Sequence, residues 1–104
     1  MSYAVQITPS ALKDMQAIHD YIASVLLTPE YAYGQYHRIA DAILSLKEMP
    51  GRYPLVRFEP EHNMGLHRMP VDNYSAFFVI SQDAVVVTLV LYTASDVEGR
   101  LGHF

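Results

Sequence analysis

Two threonine–proline pairs, twenty residues apart, constrain this chain more than any other feature of its sequence. In Thr8-Pro9 and in Thr28-Pro29, the hydroxyl is suited to cap the free N–H groups of a first helical turn. The proline that follows has a fixed φ that suits the first helical position. After the first pair, Leu12, Met15, Ile18, Ile22 and Val25 recur at spacings of three and four, one apolar stripe, with Lys13, Asp14, Gln16 and Asp20 off it. This predicts a helix over residues 9–26. After the second pair, Glu30 suits the positive end of the helix dipole. Ala32, Tyr36, Ile39, Ile43 and Leu46 then make a heptad-type seam that Met49-Pro50-Gly51 ends. This predicts a second helix over 29–48. The seam is too short for a coiled coil, so it is expected to pack on a sheet or on the first helix. The two- or three-residue connection folds the pair into an antiparallel hairpin.

The rest of the chain reads as strands. Tyr3–Ile7 precedes the helices. Residues 50–64 hold three prolines and no clear period, a long loop of the kind that often carries function. Strands are expected over 66–71, 74–80 and 85–92, joined by a tight turn at Asp72-Asn73 and another at Ser81-Gln82-Asp83. In the middle one, Tyr74, Ala76, Phe78 and Ile80 share one face and Ser75, Phe77 and Val79 the other. The last strand is apolar on both faces except at Thr88, which makes it central or covered by a partner. The order is β-α-α-β-β-β. The expected class is α+β, a helical hairpin packed on a small, largely antiparallel sheet, in one domain spanning residues 1–104. With 51% apolar residues, one core can form.

Several function classes are set aside by composition. The chain has no cysteine, hence no disulfide framework, thiolate metal site or thiol nucleophile, which fits a reducing cytoplasm. The first residues lack a basic stretch followed by an apolar run, and the longest late apolar run, Ala84–Tyr92, is far too short to span a bilayer. A soluble, cytoplasmic protein without a membrane partner is expected. The net charge of −4 gives no molecule-wide positive field for nucleic acid. Arg52, Arg57 and Arg68, near His62 and His67, still allow a local basic patch, or are scattered solvated charges. The five histidines have no metal-ligand spacing. No Ser-His-Asp order, glycine-rich phosphate loop, paired-carboxylate site or cofactor motif stands out.

Five short segments then occur in series: Tyr-x-Val-x-Ile-Thr-x-x-Ala at 3–11, Ala-Ile-x-x-Tyr-Ile at 17–22 and Ser-Leu-x-x-Met-Pro-x-x-Tyr-Pro-Leu-Val at 45–56. Gly-Leu-His-Arg-Met-Pro-Val-x-Asn-Tyr-x-x-Phe-Phe-Val-Ile at 65–80 and Val-Leu-Tyr-x-x-x-Asp at 90–96 complete it. In this order, over about residues 3–98, the chain resembles the RelE/ParE superfamily of toxins. The resemblance implies a bacterial or archaeal toxin of a type II toxin–antitoxin system, neutralised by a co-expressed cognate antitoxin. RelE-like members cut mRNA in the ribosomal A site; ParE-like members inhibit DNA gyrase and are not nucleases. One fold serves both, so fold does not choose. A relative that keeps only the fold and partner binding, without toxicity, is the third reading. The antitoxin is expected to lay an amphipathic segment into a groove or to add a strand, with the last strand and Tyr31, Tyr33 and Tyr36 as contact places.

For a nuclease, the resemblance implies cations that steady the phosphorane and groups that move protons, on the sheet and near the C-terminus. Arg68 matches a strand position where the family commonly places a cation, and is the first candidate for phosphate contact. His67, its neighbour, is expected on the opposite face. Arg52, Arg57, His67 and Tyr92 are candidate substrate-binding residues, Tyr92 either by stacking on a base or as part of the core. His103 is the candidate proton donor, with an ordinary pKa near 6.5, beside Arg100 and Phe104. Glu59 and Glu61, beside His62, are a candidate base or a solvated acidic loop. Two positions depart from the nuclease pattern. An arginine expected after Asn73-Tyr74 is Ser75, and the one expected shortly after Tyr92 is absent from Thr93-Ala94-Ser95-Asp96. The ParE-like pattern does not need them for cleavage.

Overall fold

A computed structural model describes residues 2–57 and 63–93. The elements follow the expected order: β1 (Ala4–Ile7), α1 (Pro9–Asp20), α2 (Pro29–Leu44), β2 (His67–Val71), β3 (Tyr74–Ser81) and β4 (Ala84–Tyr92). The two Thr-Pro pairs do different work. Thr8 caps α1, its Oγ1 accepting from the Ala11 N–H at 3.1 Å. Thr28 makes no side-chain cap to α2; its N–H and its hydroxyl both donate to the Ile22 carbonyl, at 3.2 and 3.3 Å. That carbonyl lies at the end of α1, where the helix widens into a π turn over Tyr21–Val25. The wider turn ends the stripe early. Ala11, Met15 and Ile22 are buried, whereas Val25 faces solvent. The second helix also ends sooner than its seam, passing into a 3-10 turn over Ser45–Lys47 that still buries Leu46.

The strands run in the order β1-β4-β3-β2. The β2–β3 and β3–β4 pairings are antiparallel, as expected, but β1 lies parallel to β4. The sheet is therefore mixed, because the last strand returns beside the first in the same direction. β1 ends at Ile7, so β4 beyond Val87 has no strand on that side. Side chains of the first helical segment take its place. The Thr8 hydroxyl donates to the Thr88 carbonyl at 3.4 Å, and the Asp14 carboxylate accepts the Val90 N–H at 3.0 Å. The register slips between Phe77 and Phe78, opposite Leu89 and Val87. The bulge falls at Thr88, the one polar residue of the strand, and resets its alternation. Val85, Val87 and Val90 thus all join the core under the helices.

Both faces of β3 are covered, which is why its sequence is apolar on both. Ala76 and Phe78 pack under the helices with Met15, Ile39, Ile43 and Met69. Phe77 packs on the other face with Val56, Leu66 and Leu91. The segment after α2 returns along β2, with Leu55 bridged to His67 and the Val56 N–H bonded to the Leu66 carbonyl at 2.8 Å. β4 lies between β1 and β3 over Ala84–Val87, and beyond Val87 its outer side is met by Thr8 and Asp14. No helix among the described residues is long and apolar enough to cross a membrane.

Candidate functional site

Alternation along β2 separates the two residues singled out there. Met69 is buried under the helices, and so is the face that His67 shares. The His67 ring stacks on Phe78, centroids 5.2 Å apart and planes 11° from parallel. Its Nδ1 lies 2.7 Å from the Tyr53 carbonyl, which only accepts, so Nδ1 carries a proton. His67 therefore ties the returning segment to the core. Arg68 points to the opposite face, as alternation requires. Its Nε donates to the Ser75 hydroxyl at 3.0 Å, and Ser75 shares a 2.8 Å hydrogen bond with the Thr93 hydroxyl. Ser75 is fully buried. The residue that stands where a nuclease arginine is expected is thus a packed, paired hydroxyl that orients Arg68.

The other candidates are placed elsewhere. Arg52 closes the end of the second helical segment. Its guanidinium donates to the carbonyls of Glu48 and, at 3.0 Å, Met49, reaches the Ser45 hydroxyl at 3.3 Å, and lies 4.7 Å from the Tyr53 ring centre. Met49, just before it, has a left-handed backbone at φ 48°, and Arg52 binds the carbonyls that this bend turns outward. Tyr53 packs against the core under the helices, so Arg52 and Arg68 do not share a surface. Arg57 is exposed on the loop. Tyr92 lies on the helix side, its ring 5.5 Å from that of Tyr74, and away from Arg68. Glu59, Glu61, His62, Arg100, His103 and Phe104 lie outside the described residues.

Arg68 thus stands beside the hydroxyls of Ser75 and Thr93. Such a group can accept an anion or a main-chain carbonyl.

A second polar cluster, which the sequence reading missed, joins α2 to the β2–β3 turn. Asp72 stands in that turn with a left-handed backbone at φ 55°. Its Oδ2 accepts from Arg38 Nε at 2.7 Å and from Gln35 Nε2 at 3.1 Å. Gln35, fully buried, returns its Oε1 to Arg38 Nη2 at 3.3 Å and to the Tyr31 hydroxyl at 3.4 Å. The Arg38 hydrogen bond, then that of Gln35, holds the Asp72 carboxyl below its ordinary 3.8 against the opposing effect of desolvation. The folded state thus favours the ionised form. Its contribution to stability is complete above the unfolded value and is lost as pH falls through the lower folded one. Because the pair is largely exposed, the effect is small. Urea unfolding is expected to show wild type losing stability faster than Asp72→Asn below about pH 3.8, with parallel curves between roughly pH 5 and 8. Diverging curves in the neutral range would assign the coupling to another group.

Tyr74 lies at the same end of the sheet. Burial pushes its phenol above the ordinary value, followed by the charges that Tyr31, Tyr92 and Tyr21 carry when ionised. Four phenols are therefore gathered where the tips of both helical segments meet the sheet.

The family model described as the ParE toxin of the type II toxin-antitoxin system, parDE, matches residues 5–97. Among solved structures, a chain from the chromosomal ParDE TA system of P. aeruginosa superposes with a TM-score of 0.73 at 20% identity. The match covers 88% of this chain and 96% of that one. A chain of the toxin-antitoxin complex RelBE2 from Mycobacterium tuberculosis gives 0.57 at 21% identity, over 88% and 99% of the two chains. One of the archaeal RelE-RelB complex from Pyrococcus horikoshii OT3 gives 0.59 at 16% identity, over 91% and 99%. At these identities the likeness is one of fold. No curated protein matches the chain.

Proposed function

The chain belongs to the ParE toxin family of type II toxin–antitoxin systems, and from that premise we propose that it arrests growth by binding DNA gyrase rather than by cutting mRNA. It is the toxin component of such a module, and its partner is a cognate antitoxin that neutralises it. A gyrase target supports a cytoplasmic site of action. The observation that carries the choice of target is Ser75. Where RelE-like nucleases are expected to have an arginine, this chain has a buried hydroxyl spent on Arg68 and Thr93. Phosphoryl transfer to a 2′-hydroxyl needs a base, an acid and a cradle of cations around one phosphate. Among the described residues, Arg68 with the Ser75 and Thr93 hydroxyls does not supply that set. A protein that inhibits by binding needs only a complementary surface.

The test is a supercoiling assay with purified gyrase and purified toxin, beside a ribosome-dependent mRNA cleavage assay. Inhibition of gyrase with intact mRNA is the expected result. Arg68→Ala is expected to inhibit gyrase within about fivefold of wild type, because most single truncations on a binding surface cost little. Loss of toxicity together with loss of mRNA cleavage in Arg68→Ala would instead make the chain a RelE-like nuclease.

A further inference from the structure

The chain contains neither cysteine nor tryptophan, but it has eight tyrosines. An oxidant that takes electrons one at a time therefore finds no thiol or indole, and phenols are the side chains left to it. Among the described residues, Tyr74 and Tyr92 make the one contact between two tyrosine rings, with centroids 5.5 Å apart and planes at 61°.

The sheet sets this contact. Tyr74 opens β3, Tyr92 closes β4, and the two stand directly opposite in the antiparallel register. At the next pair, the Thr93 N–H donates to the Asn73 carbonyl at 2.8 Å. Hydrogen-bonded and non-hydrogen-bonded pairs alternate along such a ladder. Tyr74 and Tyr92 thus form a non-hydrogen-bonded pair, the kind whose side chains come closest. Tyr74 is packed against the core under the helices, whereas Tyr92 is nearly half exposed. One ring is anchored and the other is open to a reagent.

We infer that Tyr74 and Tyr92 are a site of oxidative cross-linking, at which a one-electron oxidant of the peroxidase–peroxide class joins the two rings by a carbon–carbon bond. Each phenol gives up one electron and its hydroxyl proton. The unpaired electron of the resulting phenoxyl radical is shared with the ring carbons beside the one that bears oxygen. The two radicals pair at such carbons, and the bond forms. Each joined carbon then releases its hydrogen as a proton and each oxygen takes a proton back, which restores two phenols. In all, two electrons and two protons leave the protein. One hydrogen peroxide accepts them, its O–O bond breaks, and two waters form. The product staples the β3–β4 hairpin at its open end, opposite the turn between Ser81 and Ala84. The inference is independent of whether gyrase or mRNA is the target.

The experiment treats the folded full-length chain, at low concentration, with a haem peroxidase and hydrogen peroxide. The monomer is then isolated and cleaved before aspartate, which separates Tyr74 from Tyr92 at Asp83. Mass spectrometry is expected to find the fragments Asp72–Gln82 and Asp83–Ser95 joined, with the loss of two hydrogens. Neither fragment contains methionine, whose thioether peroxide also oxidises, so that mass reads the cross-link alone. Tyr74→Phe and Tyr92→Phe keep the rings and are each expected to abolish the joined fragment, with thermal unfolding confirming that both variants fold. Tyr33→Phe is expected to leave it unchanged, although Tyr33 is the most exposed of the tyrosines. In urea-unfolded chain the Tyr74–Tyr92 product is expected to give way to a mixture of tyrosine pairs. Absence of the joined fragment from folded wild type, with oxidation ending in dimers linked through other tyrosines, overturns the inference. So does its persistence in Tyr74→Phe, or an equal yield in urea, which would mean that the fold does not bring the rings together.

Discussion

Phe78→Ala is expected to lower the free energy of unfolding by about 3–5 kcal/mol. Phe78 is fully buried in the layer where the helices meet the sheet. It also joins two parts of the chain distant in sequence. The Tyr53 ring meets it edge-on at 6.3 Å, and His67 stacks on it at 5.2 Å. Alanine would empty the space and loosen both rings, and the surrounding strands, locked in register on either side of the bulge, relax only partly. Domains of this size have roughly 5–15 kcal/mol in total, so the variant should sit near the folding threshold at growth temperature. Urea unfolding followed by far-ultraviolet circular dichroism measures this. A loss under about 1 kcal/mol would mean that the Tyr53–Phe78–His67 stack contributes little.

Gln35→Leu is expected to cost about 1–3 kcal/mol, although it puts an apolar residue of similar size at a fully buried position. The amide donates to Asp72 at 3.1 Å and accepts from Arg38 at 3.3 Å. Leucine removes these two bonds and the one from the Tyr31 hydroxyl, and leaves the Asp72 carboxylate one donor short. In a double-mutant cycle with Asp72→Ala, the coupling should recover much of that cost, because the second change removes the unsatisfied group. Equal or greater stability in Gln35→Leu would show that the cluster joining α2 to the β2–β3 turn is dispensable.

Gln35 also marks where the sequence stopped being legible. The heptad-type seam assigned Tyr36 to the interior and gave no reason to notice Gln35. In the fold Gln35 is fully buried, while Tyr36 is only partly so. Periodicity records which positions are apolar. It cannot record that a turn residue 37 positions later will satisfy a buried amide. The helices and strands themselves were readable, because stripes of period three-to-four and two depend only on neighbours along the chain. The alternation that put His67 and Arg68 on opposite faces followed in the same way. The parallel β1–β4 pairing did not, since direction depends on how the chain closes and leaves no local pattern. The π turn was hidden too; Val25 continued the helical stripe in sequence, and only the Thr28–Ile22 lock ends it.

The same division holds for the candidate site. Ser75 was visible as a departure from the nuclease pattern, but not that it would be buried and bonded to Arg68. Arg52 looked like part of a basic patch with Arg57 and Arg68. Its geometry instead gives it the carbonyls at the end of the second helical segment.

The most direct test of the central claim is to induce the chain alone in bacteria and follow DNA synthesis, bulk translation and mRNA integrity from the first minutes. The account predicts early loss of DNA synthesis with filamentation, and mRNA that stays whole. Early loss of translation with mRNA cut inside codons would contradict it, and unimpaired growth at good soluble expression would leave the family fold without the toxin's action.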